Sequence, residues 1–86
     1  MKHEKKVLAV YFQKILDGDK TFELRLADWE CVPGDILFLR EWDSDKKEYT
    51  GRTIEKLVTY VLKTNDINLW PKEDVEKFGY QIISFK

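Results

Sequence analysis

Residues 7–26 read Val7-Leu8-Ala9-Val10-Tyr11-Phe12-Gln13-Lys14-Ile15-Leu16-Asp17-Gly18-Asp19-Lys20-Thr21-Phe22-Glu23-Leu24-Arg25-Leu26, and the hydrophobic period changes once within them. Leu8, Tyr11, Phe12, Ile15 and Leu16 recur at i, i+3, i+4, i+7 and i+8, the stripe of an amphipathic helix, while Gln13, Lys14 and Asp17 take its wet face. Gly18 suits the left-handed position that ends such a helix. From Lys20 the period is two: Phe22, Leu24 and Leu26 point one way, Thr21, Glu23 and Arg25 the other. A helix is thus followed directly by a strand.

Working outward, about Lys5 to Leu8 reads as a short first strand. Asp28 to Val32 is irregular, and Pro33-Gly34-Asp35 is a turn. Ile36 to Trp42 reads as a buried strand, and the charged run Asp43 to Glu48 as the tip of a hairpin without metal-loop spacing. Tyr49 to Leu62, rich in Thr, Val, Ile and Tyr, is a long return strand in which Gly51 marks a bulge. Pro71 fits the start of a short second helix, with Glu73 and Asp74 at its positive end. Gly79-Tyr80 opens a last strand, Gln81 to Phe85. Apolar residues lie on both sides of the return strand, Ile54, Val58, Tyr60 and Leu62 against Leu57 and Val61. The pattern predicts an α+β, mainly β fold: a small curled sheet or barrel of about five to six strands, covered by one main helix. Closing the sheet removes strand edges that would otherwise aggregate.

The chain has 86 residues, so 1–86 is expected to be a single domain. Area scaling gives about 5,400 Å² exposed when folded against about 15,000 Å² unfolded, enough burial for one modest core. With 43% hydrophobic and 14% aromatic residues the chain is not of disordered composition. Fifteen Lys and Arg against sixteen Asp and Glu give a net charge of −1, which argues against sequence-blind binding of polyanions. Any nucleic-acid contact must come from a local cluster. One cysteine, Cys31, excludes an internal disulfide, and with a single histidine, His3, it counts against a protein-only zinc site. No cofactor or metal is expected. Apolar runs such as Ile36 to Leu39 are far short of a membrane span, and the start of the chain lacks a signal-peptide core. The expectation is a cytoplasmic protein, monomeric or weakly dimeric, with no membrane partner.

The densest polar constellation is Gly18 to Arg25. Glu23 and Arg25, two apart on a strand, emerge on one face about 6.5–7 Å apart, and Lys20 reaches from the turn. Two cations flanking a carboxylate suit an anion or nucleotide: Arg forks onto phosphate or a base edge, and Glu accepts from an exocyclic amine. The alternative is a solvated face with an ion pair of little energetic consequence. Trp29, Trp42 and Tyr49 either stack on bases or close the barrel ends. Arg40, on the face of Ile36, Phe38 and Trp42, either points into a cleft or pairs at its rim. His3 reads as a general base or a hydrogen-bonded strand end, and Cys31 as a small packing residue.

The spacing Gly-x-Lys-x-x-Glu-x-Arg at Gly18, Lys20, Glu23 and Arg25 resembles the signature of the ASCH domain (activating signal cointegrator homology), within the PUA-like β-barrel superfold. His3-Glu4, Pro33-Gly34-Asp35-Ile36-Leu37, Leu39-Arg40-Glu41-Trp42, Tyr49-Thr50-Gly51-Arg52, Val58 to Leu62 and Gly79-Tyr80 resemble, in this order, a bacterial and phage branch of that family. The resemblance covers most of the chain and weakens between Lys63 and Phe78. It implies a barrel with a cleft between helix and sheet that takes RNA or a nucleotide. The ligand-binding residues it implies, together with the neighbours weighed above, are Lys20, Thr21, Glu23, Arg25, Arg40, Trp42 and His3. Some small ASCH proteins are similar to amidohydrolases that deacylate N4-acetylcytidine with a Lys, a Thr nucleophile and a downstream Glu. Lys20 matches that Lys, but the nucleophile position holds Glu23, and a carboxylate is no substitute for a hydroxyl in that mechanism. Binding of RNA or a modified nucleotide is therefore the leading expectation. A hydrolase using Lys20 with Glu23 or Thr21 is the alternative, and a protein-interaction module of a transcription or translation complex the third.

Overall fold

In the computed structural model, which describes residues 1–86, strand β1 runs Lys2–Leu8 and passes directly into helix α1, Ala9–Leu16. Strand β2 is Ile36–Asp43 and β3 is Glu48–Leu57. A short 3₁₀ turn at Thr64–Asp66 and helix α2, Lys72–Phe78, follow. β1 lies parallel to β2, from Lys2 opposite Ile36 to Leu8 opposite Trp42, and β3 pairs antiparallel with β2. The result is a small α+β fold on a mixed sheet of order β1-β2-β3. Parallel neighbours need a crossover, and α1 with the segment after it supplies one.

Pairing assigns the faces. His3, Lys5 and Val7 lie beside Leu37, Leu39 and Glu41; Lys2, Glu4 and Lys6 lie beside Ile36, Phe38 and Arg40 on the other side. α1 packs on the first face, where Phe12 and Ile15 meet Val7 and Leu39, flanked by Leu37 and Ile54. Leu8, Tyr11 and Leu16, the outer part of the helical stripe, stay substantially exposed. The core is therefore narrow.

Two glycines act where the sequence places them. The amide of Gly18 (φ 81°) donates to the Ile15 carbonyl, and those of Asp19 and Lys20 both donate to the Lys14 carbonyl. This is a Schellman closure of α1. Gly51 (φ 94°) sits where the β2–β3 register shifts between Arg40 and Trp42, which is a bulge.

The ladder is shorter than the sequence suggests. β1 begins earlier than Lys5, but β3 ends at Leu57 rather than Leu62, although Val58 still exchanges bonds with Gly34 and Asp35. Residues 20–26 and 81–85 join no ladder; two hydrogen bonds link them, both at Ser84 Oγ, with the Thr21 hydroxyl at 2.6 Å and the Thr21 amide at 3.4 Å. The exposed surface is 7176 Å², against about 5,400 Å² for a chain of this mass. Large apolar side chains stand exposed late in the chain, at Tyr60, Leu62, Leu69, Phe78, Ile83 and Phe85. No helix is long and apolar enough to cross a membrane.

Candidate functional site

Closing α1 at Gly18 sends the chain back past the sheet face that carries the core. Residues 18–25 and 56–63 both border a cleft of about 420 Å³, which Ile15, Leu37 and Leu39 reach from the core and Lys5, Trp29 and Cys31 from the side. Within it Glu23 receives a cation on each oxygen. Lys20 Nζ donates to Oε1 at 2.6 Å, and Arg25 Nε donates to Oε2 at 2.9 Å. Lys20 also donates to the Phe22 carbonyl at 2.8 Å, and Arg25 to the Lys6 carbonyl at 2.6 Å. The Lys20 and Glu23 side chains are only 16% and 14% exposed, so this is no freely solvated surface pair. Thr21 borders the same cleft, but its hydroxyl is committed to Ser84.

Charge is sorted here. Lys5, Lys20, Arg25, Lys56 and Lys63 line the cleft, and Glu23 is the one carboxylate among the lining residues. A chain of net charge −1 thus turns a locally positive concavity to solvent, and low-dielectric walls strengthen such a field. Lys5 lies over the Trp29 ring at 3.8 Å, and Lys63 pairs with Glu30 at 3.5 Å.

The other residues singled out in the sequence fall elsewhere. Arg40 and Trp42 are on the opposite sheet face from α1 and do not line the cleft. There Arg40 lies 3.7 Å over the Tyr49 ring and pairs with Glu4 at 3.3 Å, while Trp42 meets Tyr49 edge-on at 5.0 Å under the Lys6 ammonium. His3 is on the cleft side of the sheet, yet its Nε2 is 2.9 Å from Asp35 Oδ2 and its ring 4.9 Å from that of Trp29. Asp35 is held well below the usual carboxylate range, first by His3, then by the Met1 amino group at 3.0 Å and the Val32 amide. Burial, with Asp35 nearby, pushes the Cys31 thiol up. His3, Cys31 and Asp35 each bring one ligand-type atom to within 4.8 Å of the others.

A second polar network pins α1 to the sheet. Buried Glu41 accepts from Arg52 at 2.6 and 2.8 Å and from Thr50 at 2.5 Å, and Arg52 reaches Gln13 of α1 at 3.1 Å. Arg52, and then Thr50, hold the Glu41 carboxyl below its ordinary range despite burial, and Glu41 raises Arg52 in turn. The bulge at Gly51 brings Thr50 and Arg52 to one carboxylate. Sequence reading missed this network, although an acidic residue inside an apolar strand was a signal that a partner existed. It also missed Lys5, Lys56 and Lys63, of which only Lys5, in step with His3 and Val7, carried a local signal.

A family model described as a domain of unknown function, DUF3850, matches residues 2–75. An uncharacterised 12.9 kDa protein in the GpA 3′ region of Escherichia phage P2 is 39% identical over 64 residues, 74% of this chain and 57% of the phage protein. The chain therefore spans little more than half the length of that relative. No solved structure matches. With the family match running from the first strand into α2, through every residue of the Lys20–Glu23–Arg25 cluster, the chain belongs to the DUF3850 family.

Proposed function

We propose that this chain binds RNA or a nucleotide, including a modified nucleoside, in the cleft between residues 18–25 and 56–63, as the ASCH resemblance implies. The observation that carries the reading is the segregation of charge: five cations and one carboxylate border one concavity in a chain of net charge −1. The volume, about 420 Å³, falls in the range of small-ligand sites. Trp29, Phe22 and Tyr60 offer aromatic surface for a base, and Lys20 and Arg25 offer donors for phosphate or a base edge. Glu23 accepts from an exocyclic amine once one of its cations turns to the ligand. Few phosphates can be neutralised by such a patch, so the ligand is a single nucleotide or a short loop. In the same reading, residues 20–26, 58–62 and 81–85 belong to a PUA-like barrel completed around the three-stranded sheet, and the Thr21–Ser84 contact supports that closure.

The test is a residue-resolved amide-shift titration with nucleotides and short single-stranded RNAs. Shifts should cluster on residues 18–25 and 56–63, and Lys20→Ala should weaken binding. Silence of that patch with every probe would sink the reading; protection of Trp42 or Tyr49 by a protein would favour an interaction module instead. The 2.6 Å contact of Lys20 with Glu23 keeps the hydrolase reading in view, because it joins both candidate catalytic residues. Release of acyl groups from an N4-acylated cytidine, lost in Lys20→Ala, would establish that alternative.

A further inference from the structure

His3 comes from β1, Asp35 from the turn before β2, and Cys31 from the loop before that turn. Their ligand atoms, Nε2, a carboxylate oxygen and Sγ, all lie within 4.8 Å of one another. We propose that these three side chains form an open divalent-metal site of the zinc class, in which a fourth position is left for water or a ligand.

The chemistry of the donor set fits. Nitrogen, sulfur and carboxylate oxygen are the ligands of zinc, and three protein ligands with one open position mark a reactive rather than a structural site. Donors bound at about 2.0–2.3 Å around a tetrahedral ion stand roughly 3.3–3.7 Å apart. His3 and Asp35, now 2.9 Å apart, need to part slightly, and Cys31 to approach by about 1 Å, which side-chain torsions allow. Asp35 Oδ1 is used by the Met1 amino group; Oδ2 faces His3 and accepts from the Val32 amide at 3.2 Å, which leaves it a lone pair, so Oδ2 is the ligand oxygen. The His3 and Asp35 side chains are 12% and 11% exposed, so both are preplaced, while Cys31 borders the cleft and gives the ion a way in. The site stands apart from the nucleotide reading, since it needs none of Lys20, Glu23 or Arg25.

The full chain, stripped with chelator, is titrated with Co²⁺ and with Zn²⁺. One ion per chain, a near-ultraviolet thiolate-to-cobalt band and slower alkylation of Cys31 in the presence of Zn²⁺ are expected. Cys31→Ser should abolish the band, and His3→Gln should weaken Co²⁺ binding tenfold or more, with circular dichroism showing both variants folded. Absence of a band in excess Co²⁺ overturns the proposal. So does a band unchanged in a folded His3→Gln chain, which would make Cys31 an isolated thiol. Should His3→Gln not fold, protection of Cys31 by Zn²⁺ in the parent chain decides, and its absence refutes the site.

Discussion

Replacing Phe12 by Ala tests the packing on which the cleft rests. Phe12 is fully buried, and the core it joins has only three other buried apolar members, Val7, Ile15 and Leu39. Large-to-small replacement of a buried Phe costs about 3–5 kcal/mol, because the lost transfer energy is compounded by a cavity. An 86-residue domain at roughly 0.05–0.15 kcal/mol per residue holds about 4–13 kcal/mol in total. The substitution should therefore remove a large part of the stability and lower Tm by more than about 12 °C. Leu16→Ala on the same helix, at a side chain 42% exposed in the parent, should cost well under half as much. Chemical denaturation followed by circular dichroism measures both. If Phe12→Ala costs less than about 1 kcal/mol, or if the two variants are equally destabilised, the core does not lie where it is described.

For short single-stranded RNA, the slope of log K against log salt should be no steeper than about −3.5, the value for five cations each contributing about 0.7. By fluorescence anisotropy, Lys56→Ala should reduce that slope by about 0.7, and Lys2→Ala on the far face should leave it unchanged. Glu41 is held below its ordinary pKa in the folded chain, so the stability it contributes is present above the unfolded value of about 4.3 and disappears as pH falls through the folded one. Glu41→Gln should accordingly flatten the acid limb of a plot of denaturation midpoint against pH, and an unchanged limb would show that Glu41 contributes no such linkage. Gly18→Ala meets no atom within 4 Å but must hold φ near +81°, so it should cost about 1–2 kcal/mol by backbone strain alone, read from the denaturation midpoint.

What was legible in the sequence was what is decided locally. Gly18 ends a helix and Gly51 bends a strand because each takes a backbone shape its neighbours resist. The early part of β1 was hidden, since Lys2, Glu4 and Lys6 on one face and His3 and Lys5 on the other blur the period of two. The triad at Lys20, Glu23 and Arg25 was visible as spacing. Its companions Lys56 and Lys63 were not, because they reach the cleft only when distant segments border the same hollow. Arg40 and Trp42 show a different obstacle. Ile36 and Phe38 on one side of β2 and Leu37 and Leu39 on the other are all apolar, so alternation alone cannot say which side the helix covers.

The doubled bond to the Lys14 carbonyl has a consequence for recognition. The Lys20 amide is fastened to the last turn of α1 and its ammonium to Glu23 and the Phe22 carbonyl, so backbone and side chain are both ordered before anything arrives. Docking there exchanges one partner for another and spares much of the usual cost of about 0.5–1.5 kcal/mol per immobilised side chain.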